Sequence, residues 1–317
     1  MDTPKQTDKL VVAALYQFTE IYDLPQKQSE LLSICRSRNV RGTLILATEG
    51  INGTISGRGH HIKTVIQHII DWPEIAELDV KYSSSTDQNF NRMKVKIREE
   101  IVTMGVSRVN AKKDAGKHVE AKDWNKLINR EDIALIDVRN KFEIEVGRFK
   151  GSIGPNTDSF SDFPDWVTQH STELAAKPAI AMYCTGGIRC EKASAYMKSM
   201  GFGKIYHLKG GILKYLEEIA ASESLWEGEC FVFDDRVSLT HGLEEGAYTL
   251  CYGCQDPLSE QDRESQFFEE GVTCPKCYNV LSDSKKARSR ERQKQILIAR
   301  SRGSNHLGST ANHKDYN

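Results

Sequence analysis

The sequence of 317 residues predicts a multidomain α/β protein, on the basis of three observations. Its first hundred residues alternate between strand-like and helix-like segments, as in a small α+β domain. Its middle third has short apolar runs separated by helical segments, which is typical of a parallel sheet covered on both faces. Its last third has two C-x-x-C pairs followed by a basic tail, which indicates a small cysteine-rich region.

The first predicted domain, residues 1–110, has six elements in the order β-α-β-β-α-β. This is the order of the ferredoxin-like split motif, which leaves one sheet face available for contacts. The dipeptide Asn52-Gly53 indicates the turn between the two central strands. The predicted elements are a strand at 10–19, a helix at 25–38, strands at 42–47 and 53–56, a helix at 60–71 and a strand at 91–99.

The last of these strands alternates basic and apolar residues. Because side chains in a strand alternate with a period of two, the basic residues share one face and the apolar residues the other. Two interpretations stay open for the basic face: an exposed edge with solubilising charges, or an electrostatic track for a phosphate backbone. The candidate RNA-binding residues on this face are Arg92, Lys94, Lys96 and Arg98.

A second α/β domain is predicted over residues 121–223, after a polar linker at 110–121. Three apolar runs, at 133–136, 179–183 and 205–208, predict the strands of its parallel sheet. Ligand sites in such sheets lie at the carboxyl ends of the strands. The residues that directly follow the second run are therefore candidates for the functional site.

Cys184 follows that run and opens a loop that leads into a helix beginning near Arg189. Gly186 and Gly187 let the loop turn several backbone N–H groups inward, where they and the helix N-terminus stabilise an anion. A thiolate in such a loop has a lowered pKa and is a competent nucleophile. We therefore predict that Cys184 is the catalytic nucleophile and that Arg189 is a fixed cation able to orient an anionic substrate. The alternative is a buried cysteine before an ordinary strand–helix turn. The loop residues are Thr185, Gly186, Gly187, Ile188 and Cys190.

The spacing C-x4-R makes this loop shorter than the C-x5-R loop of cysteine phosphatases, which encloses a tetrahedral phosphate. The segments that resemble a single rhodanese domain are Asp137–Arg139 with Glu143, Gly147–Phe149, and Leu208–Gly211. The resemblance covers about residues 122–222 and implies a rhodanese-like parallel α/β fold.

Cys190 departs from the commonest rhodanese loop, in which a small polar residue often follows the arginine. Packing at the start of the helix is one interpretation of this cysteine. The other is a resolving thiol that accepts sulfur from Cys184 or forms a disulfide with it.

Residues 224–317 are predicted to form a zinc-binding region with a basic helical tail. Two C-x-x-C pairs separated by nineteen residues fit the spacing of a tetrahedral structural zinc site. Metal-free thiols and a redox pair are the alternatives. The candidate ligands are Cys251, Cys254, Cys274 and Cys277.

The charges of this region are unevenly distributed. Residues 223–284 contain fourteen acidic and three basic side chains, whereas residues 285–317 contain two acidic and nine basic ones. The asymmetry is compatible with a polyanionic partner, with mutual neutralisation, or with a solvated surface. A basic helix is predicted over 284–299, and the final dozen residues are predicted to be disordered.

The sequence contains no apolar run of about 18 residues, as a membrane span would need, and no signal-peptide core at its N-terminus. A cytoplasmic location is therefore expected. In a reducing compartment, the eight cysteines favour metal binding and thiol chemistry over a disulfide framework.

As a whole, the chain resembles the rhodanese-type tRNA uridine hydroxylases. The segments that carry the resemblance are Ala47–Gly57, Arg92–Lys96, Cys184–Cys190, and the two cysteine pairs followed by Glu291–Gln295. The resemblance implies oxygen-dependent 5-hydroxylation of the wobble uridine in the tRNA anticodon. It also implies that Cys184 is a persulfide intermediate, that molecular oxygen is a co-substrate, and that a sulfur or electron donor takes part.

Two other functions stay open at this point. A sulfurtransferase would pass sulfane sulfur from Cys184 to an acceptor, and a non-enzymatic RNA-binding module would have no use for the C-x4-R loop. If tRNA is the substrate, the first domain is expected to orient the anticodon arm. The basic tail is expected to add affinity without selecting a site.

Overall fold

The computed structural model describes residues 10–106 and 109–302 of the chain. The predicted disorder of the final dozen residues falls outside these ranges. Among the described residues, no helix combines the length and the apolar character that a membrane span requires. The described chain forms a five-stranded N-terminal sheet, a four-stranded central sheet and three short strand pairs toward the C-terminus.

The N-terminal sheet is covered on one face by two helices. Its elements are β1 (Leu10–Phe18), α1 (Leu24–Ser37), β2 (Arg41–Ala47), β3 (Gly50–Arg58), α2 (Gly59–Ile70), β4 (Asp79–Ser85) and β5 (Met93–Ile97). The strand order is β4-β1-β3-β2-β5, in which β5 is parallel to β2 and the other pairs are antiparallel. The order from β1 to β4 is that of the split motif, and β5 is an addition to it.

The fourth strand of the split motif is β4, which the sequence did not indicate. β4 pairs with β1 at one edge of the sheet, whereas the strand predicted at 91–99 is β5, at the opposite edge. The prediction was wrong on this point because β4 has the sequence D-V-K-Y-S-S-S. It contains one aliphatic residue and no regular apolar alternation.

The turn between the central strands is also displaced from its predicted position. Residues 48 and 49 form the turn, and Ala47 pairs with Gly50. Asn52-Gly53 lies inside β3, where a β-carbon on Gly53 would come within 2.1 Å of the Thr43 carbonyl oxygen. The glycine thus permits close approach of two strands, a role that sequence alone does not distinguish from a turn.

The two faces of the N-terminal sheet have different partners. One face packs on α1 and α2 in a core that includes Leu15, Leu44 and Ile55. On the opposite face, the strand register aligns one row of residues across all five strands: Lys94, Thr43, Thr54, Ala14 and Lys81. Lys94 at one edge of the sheet and Lys81 at the other therefore belong to the same face.

The central domain is built on a parallel sheet with the order β6-β10-β9-β7. Its elements are α3 (Ala111–Asp114), β6 (Lys117–Val119), α4 (Ala121–Ile128), β7 (Ile133–Asp137), α5 (Lys141–Val146), β8 (Gly147–Phe149), α6 (Phe163–Gln169), α7 (Ser171–Ala175), β9 (Ala179–Tyr183), α8 (Ile188–Ser199), β10 (Lys204–Leu208) and α9 (Gly211–Glu218). Two separate apolar clusters contain residues from this sheet. The three apolar runs are β7, β9 and β10, in agreement with the predicted parallel sheet.

Part of the segment predicted as a linker belongs to this sheet. Its strand, β6, pairs with β10 at one edge, and α3 packs against α8. Strand β6 is only three residues long and mostly exposed, so it has no apolar pattern by which the sequence could have revealed it. The domain limits proposed from the sequence stay predictions.

The C-terminal region consists of short elements. They are β11 (Trp226–Gly228), β12 (Cys230–Phe231), β13 (Ser238–Leu239), β14 (Thr249–Leu250), β15 (Pro257–Leu258), α10 (Glu260–Glu264) and α11 (Asp283–Ser301). β11 pairs with β8, which joins this region to the central domain. The helix predicted at 284–299 corresponds to α11.

Two buried cations hold the N-terminal sheet to the rest of the chain. Lys192 of α8 donates to Glu49 in the β2–β3 turn at 2.8 Å, and it also contacts Glu100. Arg236 of the C-terminal region pairs with Asp234 and donates to the Ser83 hydroxyl of β4 at 2.7 Å. These contacts fix the sheet at two places relative to the central domain.

Candidate active site

Cys184 lies at the carboxyl end of β9, directly before the loop that leads into α8. Its side chain is buried, and the N–H of Gly187 donates to its sulfur at 3.1 Å. Gly187 has a φ of 102°, which a glycine adopts without strain and which turns its N–H toward the sulfur. The loop therefore has the anion-binding geometry that its glycines predicted.

The pKa of the Cys184 thiol is lowered from 9.0 to about 6. Burial by itself opposes ionisation. The hydrogen bond from the Cys190 thiol, the charge of Arg189 and the N–H groups of Cys190 and Gly187 outweigh it. Burial and the adjacent Cys184 raise the pKa of Cys190 well above its usual value, so Cys190 stays protonated and can donate. At neutral pH the pair consists of one thiolate and one thiol.

Arg189 is fixed by a buried carboxylate. Its guanidinium donates to both oxygens of Glu143, at 2.6 and 2.7 Å. Burial opposes ionisation of Glu143, and the charge of Arg189 nevertheless lowers the pKa of this carboxyl group. Arg189 is therefore engaged by Glu143 and contributes to the sulfur site through its positive charge.

The predicted Leu208–Gly211 segment and the first residues of α9 pack against the backbone of the Cys184 loop. The N–H groups of Ile212 and Leu213, at the start of α9, donate to the carbonyls of Cys184 and Thr185 at 3.0 and 3.1 Å. A β-carbon on Gly211 would come within 2.5 Å of the Cys184 carbonyl oxygen. Only glycine allows the two loops to approach this closely.

A cavity of about 350 Å³ lies over the loop, and three parts of the chain line it. The central domain contributes Cys184 and its loop. The N-terminal sheet contributes Tyr16 and Lys81, and the C-terminal region contributes Phe233, whose side chain is 60% exposed, and Arg236. The site is therefore formed between the domains and not within the central domain alone.

Tyr16 and Lys81 were not among the predicted site residues. Lys81 is buried against Asp79, with 2.8 Å between Nζ and the carboxylate, and lies 5.1 Å from the Tyr16 ring. Burial lowers the pKa of Lys81, and the Asp79 carboxylate opposes that effect. No local pattern marks either residue, because each acquires its role from the docking of the sheet over Cys184.

The four predicted metal ligands converge in the C-terminal region. The sulfur atoms of Cys251 and Cys277 are 3.8 Å apart, and those of Cys254 and Cys274 are 3.7 Å apart. A tetrahedral zinc ion with Zn–S bonds of about 2.3 Å needs sulfur atoms about 3.8 Å apart. The arrangement fits four-coordinate zinc and leaves no position for a substrate.

The two predicted basic surfaces differ in their surroundings. Arg92 and Arg98 are exposed at the ends of β5, and Lys94 and Lys96 are partly exposed between them. In the tail, Arg290 of α11 donates to both oxygens of Glu269, at 2.6 Å each. The tail is thus partly neutralised by the acidic segment, which was one of the predicted possibilities.

Comparison with known protein families matches both larger domains. Residues 10–101 match the model described as UPF0176 acylphosphatase like domain. Residues 120–218 match the rhodanese-like domain. The matched residues include the loop at Cys184 and the N-terminal sheet that lies over it.

Several curated proteins resemble the chain over almost its whole length. The protein named tRNA uridine(34) hydroxylase of Sinorhizobium fredii is 50% identical, over 96% of this chain and 97% of its own. That of Agrobacterium fabrum is 49% identical with the same coverage, and that of Brucella ovis is 48% identical over 94% of this chain and 98% of its own.

Proposed function

The chain belongs to the tRNA uridine(34) hydroxylase family, and from that membership we propose how its residues carry out the reaction. The protein hydroxylates the wobble uridine of the tRNA anticodon, at C5 of the uracil ring. Cys184 is the catalytic nucleophile in our proposal, and molecular oxygen is the co-substrate. The observation that carries the assignment is the Cys184 sulfur, which accepts the Gly187 N–H at the floor of a cavity large enough for one base.

The chemistry of uracil supports a thiolate in this place. C6 of the ring is electrophilic, so a sulfur nucleophile, either the thiolate or a persulfide on it, can add there and activate C5. A base inside an anticodon loop must leave its stack to reach a buried sulfur. The cavity, with the exposed ring of Phe233 among its lining residues, offers a place for such a base.

Arg189 acts in this proposal as a positioning residue. Its bidentate pair with Glu143 holds the loop, and its charge favours the thiolate. This differs from the role predicted from the sequence, in which the guanidinium orients an anionic substrate. In the structure, both terminal nitrogens of the guanidinium already donate to the oxygens of Glu143.

The direct test uses a strain that lacks the gene. We expect tRNA from this strain to lose the 5-hydroxyuridine signal, a mass 16 higher than uridine, and the wild-type gene to restore it. Cys184→Ser should not restore it, because a serine hydroxyl does not ionise at neutral pH. Cys35→Ser, a buried cysteine in the N-terminal core, is the matched control.

The outcome also separates the two enzymatic functions. Loss of a thiolated base in place of the hydroxylated one would identify a sulfurtransferase. Restoration of hydroxylation by Cys184→Ser would refute the nucleophile assignment and leave the family function intact.

We further propose that the face of the N-terminal sheet opposite α1 and α2 binds the anticodon arm. The row from Lys94 to Lys81 runs from the basic edge strand to the cavity on one face of a rigid sheet. Phosphate contacts along such a row would set the register of the RNA, and the cavity would receive one base. Helix α11 is less suited to that role, because Arg290 is already paired with Glu269 and Arg292 donates to backbone carbonyls.

The matched variants are Lys94→Glu with Lys96→Glu, and, as a charge control, Lys122→Glu with Lys126→Glu on α4. The first pair should lower hydroxylation severely even at tRNA concentrations that saturate binding. Truncation after Asp283 should mainly weaken binding and reduce its salt dependence. Loss of turnover at saturation in the truncation alone would show that the two basic surfaces have the opposite roles.

The four cysteines of the C-terminal region are proposed to hold one structural zinc ion. The donor set is purely thiolate, the sulfur spacing fits a tetrahedron, and three of the cysteines are buried. Zinc would link the two cysteine pairs. Arg292 of α11 donates to the Tyr252 carbonyl within the first pair and to the Gly271 carbonyl, just before the second. Its contribution is to folding and not to the reaction.

A further inference from the structure

A chain of polar side chains connects the cavity with the protein surface. Tyr16 lines the cavity, and its hydroxyl donates to Oε1 of Glu191, in the first turn of α8, at 3.4 Å. The same oxygen lies 2.8 Å from Nε2 of His118 on β6. The His118 side chain is 47% exposed, so the chain of contacts ends in solvent.

The inner end of this chain lies against the sulfur site. A β-carbon on Gly187 would be 3.0 Å from the Tyr16 hydroxyl, and Gly187 is the residue whose N–H binds the Cys184 sulfur. The hydroxyl is therefore within a few ångströms of the reacting loop. It comes from the N-terminal sheet, whereas the other two members of the chain belong to the central domain.

The outer end is held in place by a second histidine. His207 is buried, its Nε2 lies 3.1 Å from the Gly116 carbonyl oxygen, and its ring centroid is 4.2 Å from that of His118. Burial lowers the pKa of His207 to about 4, so it stays neutral. A neutral neighbour leaves His118 as the member that exchanges protons with water.

We propose that Tyr16, Glu191 and His118 form a proton path that carries the proton displaced from C5 of the uracil out to solvent. The inference rests on the proposed function, because only the replacement of a C5 hydrogen requires such a path. The Tyr16 oxygen takes the C5 proton while its own proton passes to Glu191. The electron pair of the broken C5–H bond re-forms the C5=C6 double bond as the C6–S bond breaks and releases the sulfur nucleophile. The carboxyl group then passes a proton to Nε2 of His118, which releases it to water, so one proton moves and no electrons are transferred.

The charges around the path are compatible with this direction. Burial, with Glu191, Asp79, Cys184 and Cys190 around the ring, raises the pKa of Tyr16, which keeps the hydroxyl neutral and able to relay. The Lys81 ammonium lies over the same ring, 5.1 Å from its centroid.

At the outer end, the hydrogen bond to Glu191 raises the pKa of His118, with Lys209 and Asp79 also within electrostatic reach. His118 accepts a proton only in its neutral form. Turnover should therefore fall as the pH falls through the pKa of His118.

The experiment measures turnover at saturating tRNA for the wild type, Tyr16→Phe and His118→Ala. The controls are Tyr22→Phe, an exposed tyrosine that does not line the cavity, and His61→Ala. We expect Tyr16→Phe to lose about 10²-fold or more, in the range of general acid–base groups, with tRNA affinity unchanged. His118→Ala should lose about tenfold and also lose the acid limb of the pH profile. Added imidazole should restore His118→Ala, because the exposed site admits it, and should leave Tyr16→Phe unchanged.

Each result supports or overturns the path. Wild-type turnover in Tyr16→Phe, or a His118→Ala variant that imidazole does not restore, would overturn it. Recovery of His118→Ala turnover on addition of a divalent metal would also overturn it. His118, Glu191 and His207 have ligand atoms within 4.8 Å of one another, and such a result would assign them to a metal site. Absence of hydroxylation in the wild type would instead refute the proposed function.

Discussion

The molecule contains two cysteine centres that differ in what surrounds the sulfur. At Cys184, a backbone N–H, a thiol and a buried arginine face a single sulfur, and a cavity opens above it. In the C-terminal region, four sulfurs lie within 4.8 Å of one another, in a small cluster with Leu258 and Phe268. The first arrangement stabilises one negative charge and leaves it accessible. The second brings four thiols together in an arrangement that could hold a metal ion.

The difference shows that a cysteine's function depends on its donors and neighbours more than on its burial. Cys184 and Cys274 are both almost fully buried, yet only Cys184 adjoins a cavity of substrate size. Substitution of Cys184 should therefore lower the activity, whereas substitution in the four-cysteine cluster should lower the stability. The following predictions test that separation.

The largest effect is expected from Cys184→Ser. Turnover should fall at least ~10³-fold, as it does when other enzymes lose their nucleophile. The free energy of unfolding should change by less than about 1 kcal/mol, because the hydroxyl can accept the same hydrogen bond from Gly187. Kinetics and denaturant unfolding of the same preparation check both halves, and a large loss of stability would contradict the separation.

Cys254→Ala should produce the opposite result. Protein purified without added zinc should contain about one zinc ion per chain, and the variant should contain none. We expect unfolding of the C-terminal region to become easier by about 4 kcal/mol or more, because zinc binding is coupled to folding. Cys230→Ala, a buried cysteine outside the cluster, should cost much less. Wild-type protein that is folded and metal-free would refute the zinc site.

Arg189→Met should lower both the stability and the activity. Removal of the guanidinium leaves Glu143 as an unpaired buried carboxylate, so stability should fall by about 3 kcal/mol. The double variant Arg189→Met with Glu143→Leu should recover most of that stability but not the activity. Recovery of both would mean that the charge of Arg189 does not act on Cys184.

The smallest effect is expected from Cys190→Ala. It removes the thiol that donates to Cys184, and a hydrogen bond to a charged group contributes about 1.5 kcal/mol. The pKa of Cys184 should therefore rise by about one unit. The rate of alkylation by iodoacetamide measures this shift, because only the thiolate reacts. In the wild type, the alkylation rate of Cys184 should rise with pH, with a midpoint at the Cys184 pKa of about 6. An unchanged profile in Cys190→Ala would assign Cys190 to packing alone.

The sequence predicted those features that local spacing determines. The C-x4-R loop, the two C-x-x-C pairs and the three apolar runs each follow from a few neighbouring residues, and the structure places them as expected. Arg189 was predicted as a cation of the loop. Its partner Glu143, 46 residues away, was noted only as part of a motif.

The features that the sequence did not reveal depend on contacts between distant segments. Tyr16 and Glu191 are separated by 175 positions and meet only because the N-terminal sheet docks on α8. Strand β4 lacks an apolar pattern, since Val80 is its one aliphatic residue and three of its seven residues are serines. Glu49, in a turn, and Lys192, within a helix, give no local sign that they form an interdomain pair.

The cavity over Cys184 has walls from both ends of the chain, from Val12 near the start to Leu243 well beyond the central domain. No contiguous fragment shorter than this span contains the complete site. A nonsense or frameshift mutation after residue 223 would thus remove one wall of the cavity, and with it Trp226 and Leu239 from the core of the central domain. For the same reason, transplanting that domain into another protein would transfer a reactive thiol but not the ability to modify RNA.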